Sequence, residues 1–277
     1  MTQSFPKPQS PYPTVTWGHV DNTPLFLLHG FTGRGEGWAD LAAPLVDAGY
    51  RVIAPDLPGH GGNLSGDDGE YGMEAAAQAL ADLIDHECGG IVHLLGYSMG
   101  GRLALYFALA FPEKVRSLVL ESASPGLATE AERIARRAAD DALAARIEAE
   151  GIPAFVEFWE SLALWQSQVR LAEDVRQGLR QNRLQNNASG LAHSLREMGT
   201  GVQPSLWGRL PDVTIPTLLL AGAEDGKFAA INRQMAGLMP NTRLVVVPEA
   251  GHTVHLEQPE RFGAELLAFL HELEESA

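Results

Sequence analysis

A chain of 277 residues with 45% hydrophobic and 20% charged side chains has the make-up of one globular unit with a sizeable core, which excludes disorder on the scale of a domain. Its 35 acidic against 20 basic residues leave a net charge of −15, which argues against nucleic acid and anionic membranes as partners. A single cysteine, Cys88, rules out an intrachain disulfide, and Met1–Pro8 show no basic segment followed by an apolar run, so the expected compartment is the cytoplasm.

Taken in chain order, short apolar runs alternate with helical patterns. The strands predicted are Leu25–Leu28, Val52–Ala54, Ile91–Leu95, Ser117–Glu121, Thr217–Ala221 and Leu244–Val247. They are rich in Leu, Val and Ile with little alternation, as in parallel strands buried on both faces. None is long enough to span a bilayer. Helices are expected over Glu36–Ala48, Glu74–Glu87, Met99–Phe111 (stopped by Pro112) and Pro259–Glu274. The order implies an α/β fold with a mostly parallel central sheet flanked by helices.

The stretch from Pro125 to Leu210 carries no strand pattern. Helices are expected there over Ala128–Glu150, Ala154–Trp165, Ala172–Asn182 and Ser189–Gly199. Residues 1–124 and 211–277 therefore read as the core, and 125–210 as a helical cap inserted between core strands. Ligands bind at the carboxyl edge of such sheets, where a cap would cover them.

Gly96-Tyr97-Ser98-Met99-Gly100 is a G-x-S-x-G pentapeptide between a predicted strand and a predicted helix. That setting puts Ser98 on a sharp turn with its hydroxyl above the sheet. An acid, Asp225, follows the strand Thr217–Ala221, and His252 follows Leu244–Val247. Ser, acid and His then converge at one sheet edge as a catalytic triad, with Glu224 as the rival acid. An oxyanion hole needs two fixed N–H donors, and the backbone groups of Met99 and Phe31 are the candidates. His29 and His60 are expected to brace their loops. His252 and His255 lack a third ligand in metal spacing, and no phosphate-binding loop exists; no metal and no cofactor are implied.

These residues resemble the α/β-hydrolase superfamily, and within it one family more closely. His29-Gly30-Phe31-Thr32-Gly33, Gly96 to Arg102, Gln203-Pro204-Ser205-Leu206, Gly222 to Phe228 and Ala250-Gly251-His252 resemble the 2-succinyl-6-hydroxy-2,4-cyclohexadiene-1-carboxylate synthases of menaquinone biosynthesis. The resemblance implies a cofactor-independent lyase that eliminates pyruvate from a small anionic substrate, with the triad as general base. It also implies substrate contacts from Arg102, Arg136, Arg183, Trp159 and Tyr97, whereas Arg133, Arg137 and Arg146 are expected in solvated helix-face pairs. The same triad would equally serve a carboxylester or C–C bond hydrolase, and fold does not decide between them. A receptor using the cap to recruit a partner is disfavoured by the cap's abundance of Arg and Glu.

Overall fold

The computed structural model describes residues 12–64 and 71–275. Seven strands form one sheet: β1 (Thr14–Trp17), β2 (Thr23–Leu28), β3 (Tyr50–Pro55), β4 (Val92–Tyr97), β5 (Val115–Glu121), β6 (Thr217–Gly222) and β7 (Thr242–Val247). Their order is β1-β3-β2-β4-β5-β6-β7. All pairings are parallel except β1 with β3.

Both sheet faces are buried, which is why the strands read as unbroken apolar runs. In β2, Phe26 and Leu28 pack with Leu94, Leu103 and Phe107. Leu25 and Leu27 point the opposite way, into a layer with Leu45, Phe262 and Leu266. The helices covering the sheet are α1 (Ala39–Asp47), α2 (Met73–Glu87) and α3 (Met99–Ala110), then, after β5, others toward the C-terminus. Residues 65–70, between β3 and α2, lie outside the described residues.

Between β5 and β6 the chain is helical, with α4 (Glu130–Glu160), a 3-10 helix Ala163–Arg170, α5 (Glu173–Leu184) and α6 (Ala188–Met198). Thr129 and Glu132 close the first turn of α4 as a reciprocal capping box, which satisfies two backbone donors left free there. The two helices expected over 128–150 and 154–165 are both present in this span, the second ending at Glu160, and they meet at Gly151, whose φ of +79° and ψ of 173° are not helical. Ala144, Ile147, Phe155 and Val156 of α4 meet Leu191 and Leu195 of α6 in a small core of their own. After β6 come α7 (Gly226–Ala236), α8 (Val254–Glu257) and α9 (Pro259–Glu275).

The expected elements are amended at three points. Strand β1 was not anticipated. The segment Glu36–Ala48 begins as a 3-10 turn, Gly35–Trp38, before α1. Ile91 stands outside β4 and is 51% exposed, while the strand runs on to Tyr97. Among the described residues no helix is long and apolar enough to cross a membrane.

Candidate active site

β4 delivers Ser98 at the sheet's carboxyl edge and α3 leaves directly from it. Ser98 sits at φ +51°, ψ −106°, a conformation that a residue with a Cβ adopts at a cost of about 1–3 kcal/mol. The crossing is tight enough to require glycine on both sides. A Cβ on Gly96 would lie 2.4 Å from the Gly100 carbonyl oxygen, and one on Gly100 would lie 2.3 Å from that of Leu28. The Ser98 N–H donates to the Glu121 carbonyl at 2.8 Å, fixing the turn against β5.

Ser98 Oγ lies 2.9 Å from His252 Nε2. His252 Nδ1 lies 2.6 Å from Asp225 Oδ2, so the carboxylate selects the tautomer protonated on Nδ1. Asp225 Oδ1 also accepts the Phe228 N–H at 3.2 Å, which caps α7 and holds the carboxylate still. The His252 ring packs against Phe228 at 4.6 Å, and against Tyr97 and Trp165 at 5.6 Å each. It is 2% exposed. Glu224 turns outward and pairs with Arg170 at 2.8 Å.

The loop after β2 stands over the serine. His29 Nε2 accepts the Leu57 N–H at 3.0 Å and its Nδ1 meets the Gly30 carbonyl at 2.8 Å. These two bonds fit a neutral ring protonated on Nδ1. Burial pushes the His29 pKa down to about 4. Burial, and then the neighbouring His29, push that of His60 down to about 3. Both imidazoles are therefore uncharged supports of the loop that carries Phe31.

A cavity of about 370 Å³ opens above Ser98, a volume suited to a small-molecule site (roughly 300–1,000 Å³). Phe31, Met99, Tyr97 and His252 line it beside the serine. Three cationic side chains line it too: Arg102, Arg136 and Lys227. Arg102 Nη1 donates to the Met198 carbonyl at 2.8 Å and to Gln203 Oε1 at 2.9 Å. Among the described residues no carboxylate lies within ion-pair distance of Arg102 or Lys227. Burial, then the nearby charge of Arg136, push the Arg102 pKa down to about 10, which leaves it charged at neutral pH. Arg136 Nε pairs with the buried Asp140 at 2.7 Å. Lys227 rests its ammonium over the Phe228 ring at 5.4 Å. Trp159 and Trp165 complete the wall, each with a buried indole N–H lacking a protein partner.

A family model for the α/β hydrolase fold matches residues 23–259. A curated Bacillus subtilis protein, named as a candidate 2-succinyl-6-hydroxy-2,4-cyclohexadiene-1-carboxylate synthase, is 47% identical over 89% of each chain. The Serratia proteamaculans protein carrying that synthase name without qualification is 34% identical, over 91% of this chain and 95% of its own. The chain belongs to this synthase family of the α/β-hydrolase fold. A solved structure of MenH from S. aureus superposes with a TM-score of 0.90 at 38% identity, covering 94% of this chain and 98% of that one.

Against the residues expected from the sequence, the structure gathers Ser98, His252, Phe31, Met99, Tyr97, Arg102, Arg136 and Trp159 around one cavity, with Asp225 behind the histidine. Arg183 lines an adjoining cleft that shares Phe31, Tyr97 and Trp165 with that cavity. Its guanidinium bonds Glu160 at 3.0 Å and Gln168 at 3.3 Å, and stands over the Trp165 ring at 5.3 Å. The Tyr97 hydroxyl is spent on Thr253 Oγ1 at 3.0 Å, and burial raises its pKa, so it meets the cavity as a wall. Lys227, Trp165 and the Asp140 partner of Arg136 were not singled out as site residues. Lys227 had a signal: it opens the helix that Asp225 caps.

Proposed function

We propose that this protein eliminates pyruvate from 2-succinyl-5-enolpyruvyl-6-hydroxy-3-cyclohexene-1-carboxylate to give 2-succinyl-6-hydroxy-2,4-cyclohexadiene-1-carboxylate. The observation that carries this reading is a Ser–His–Asp array opening into the same cavity as Arg102, Arg136 and Lys227. An ester hydrolase needs the array but not the cations. A substrate with three carboxylates needs both, because an arginine fork binds a carboxylate through paired hydrogen bonds. Residues 125–210 act as the cap that supplies Arg136 and the tryptophans. A cytoplasmic setting suits the lone thiol.

The chemistry follows from the geometry. His252 takes the Ser98 proton on Nε2 while Asp225 holds Nδ1 and stabilises the imidazolium. The Ser98 alkoxide then removes the ring proton α to the succinyl carbonyl, acting as base rather than nucleophile. Negative charge moves to the carbonyl oxygen, which the N–H groups of Phe31 and Met99 receive as an oxyanion hole. The enolate's return makes a new ring double bond, shifts the existing one by a position and breaks the bond to the enolpyruvyl oxygen. Pyruvate leaves as its enol once the imidazolium returns a proton, and no cofactor takes part.

The test is pyruvate release from the enolpyruvyl substrate, run beside cleavage of p-nitrophenyl esters. Fast release that disappears in Ser98→Ala, with poor ester cleavage, is expected. Brisk ester cleavage without pyruvate would replace the synthase reading with a hydrolase of a small anionic ester.

A further inference from the structure

Glu121 ends β5 with its side chain fully buried, at 0% exposure, and the chemistry of Ser98, His252 and Asp225 makes no use of its carboxylate. A buried carboxylate is costly unless hydrogen bonds compensate for lost water. Here both oxygens are engaged by one residue: Oε1 accepts the His255 N–H at 3.0 Å and Oε2 meets His255 Nδ1 at 2.7 Å. The main-chain carbonyl of the same Glu121 accepts the Ser98 N–H at 2.8 Å. One residue thus holds the serine through its backbone and the chain just beyond His252 through its side chain.

A second carboxylate grips the same segment. Glu257 Oε2 accepts the Gly251 N–H at 2.8 Å and Oε1 accepts the Thr253 N–H at 3.1 Å. These are the two backbone donors that flank His252. Four hydrogen bonds from residues 251–255 therefore end on two carboxylates, and such charge-assisted bonds are stronger than neutral ones. Tyr97 and Gln168 add hydrogen bonds to the Thr253 hydroxyl, at 3.0 Å each. The segment follows Glu249 at φ +56° and lies outside regular structure until α8 begins at Val254. Yet the imidazole it carries has to meet Ser98 at 2.9 Å and Asp225 at 2.6 Å together.

We propose that Glu121 and Glu257 are positioning residues that lock the His252 segment against the Ser98 turn; this rests on the reading of Ser98, His252 and Asp225 as the working triad. Neither carboxylate lines the Ser98 cavity, so neither touches substrate.

Glu257→Gln turns one acceptor oxygen into an NH₂ group facing a backbone N–H, and Glu121→Gln replaces the carboxylate against His255 with a neutral amide. A displaced imidazole should lower kcat for pyruvate release by about ten- to a hundredfold, with KM held within about twofold because Arg102, Arg136 and Lys227 are untouched. A readout independent of substrate is the downfield proton resonance of His252 Nδ1 shared with Asp225, assigned by its loss in His252→Ala. It should move upfield and broaden in both variants. A merely structural role would lower Tm and leave kcat and this resonance unchanged in the folded protein. If Glu121→Gln does not fold, the half-buried Glu257→Gln decides alone. Folded Glu257→Gln with an unmoved resonance and kcat within about twofold of wild type would overturn the proposal. If wild type releases no pyruvate, the synthase reading falls while the resonance still decides this one.

Discussion

Arg102 and Arg136 lie in one cavity but in different surroundings, and the difference ranks them. Arg102 is 9% exposed and fixed by the Met198 carbonyl and Gln203, so a carboxylate bound to it exchanges little with water. The Arg136 side chain is 43% exposed and already shares its charge with Asp140. Loss of a charged hydrogen bond costs roughly 1.5–3 kcal/mol, so Arg102→Ala should raise KM about 10- to 100-fold. Arg136→Ala should raise it several times less, because solvent and Asp140 weaken its pull. Steady-state kinetics with the enolpyruvyl substrate check the order, and a larger effect at Arg136 would reverse the argument. The arrangement of Ser98, His252 and Asp225 was legible because each follows a strand end, and the elbow is specified by glycines four residues apart. The arginines of the helical insertion were not equally legible. Arg133, Arg136 and Arg137 crowd one helical turn, and only packing separates the Glu130 partners Arg133 and Arg137 from the cavity-lining Arg136. For Arg183 too the side-chain partners are a matter of packing: Glu160 and Gln168 hold its guanidinium in the adjoining cleft, which shares Phe31, Tyr97 and Trp165 with the Ser98 cavity.

At the scale of elements, the helical insertion is fastened to the core by backbone contact as well as side chains. Gly59, in the turn after β3 with φ +82°, and Gly190, in α6, face each other so closely that a Cβ on Gly190 would lie 2.5 Å from the Gly59 carbonyl oxygen. Backbone on both sides leaves no flexible group to yield. Gly190→Ala should therefore cost about 1–3 kcal/mol, as overpacking does, read as a lower urea midpoint. It should also raise KM, since the displaced α6 carries Ser194 and Leu195 of the cavity wall. Wild-type stability and KM in this variant would show that α6 moves without consequence. The helices of the insertion were readable from composition and periodicity, and so were the central strands, whose two buried faces leave unbroken apolar runs. The missed strand β1 has neither signal: it is four residues long and its side chains are only partly buried or exposed. Its place is set by the edge of β3, a tertiary fact with no local imprint. The break at Gly151 separates the two expected helices close to the expected boundary.

For the molecule as a whole, the net charge of −15 lies on the surface while three histidines are stored uncharged inside. His29 and His60 brace the loops at the sheet's carboxyl edge. His93 sits within β4, bonded to Ser117 at 2.7 Å, and burial followed by the charge of Arg116 pushes its pKa down to about 4. In the unfolded chain each would titrate near 6.5. Their folded values of about 4, about 3 and about 4 are depressed, so between these limits the unfolded chain binds more protons than the folded one. Their contribution is complete above pH 6.5 and is lost as pH falls toward 4, at up to about 1.4 kcal/mol per pH unit for each histidine. Folding stability from urea titrations should thus drop steeply between pH 6.5 and 4.5, before most surface carboxylates protonate. His60→Gln should lower stability at pH 7, because the bond to the Pro58 carbonyl (3.0 Å) is altered, yet flatten the acid slope by about one proton. An unchanged slope in that variant would mean that His60 is protonated within the fold. The loop beside the proposed oxyanion hole would then carry a positive charge that this structure leaves no room to solvate.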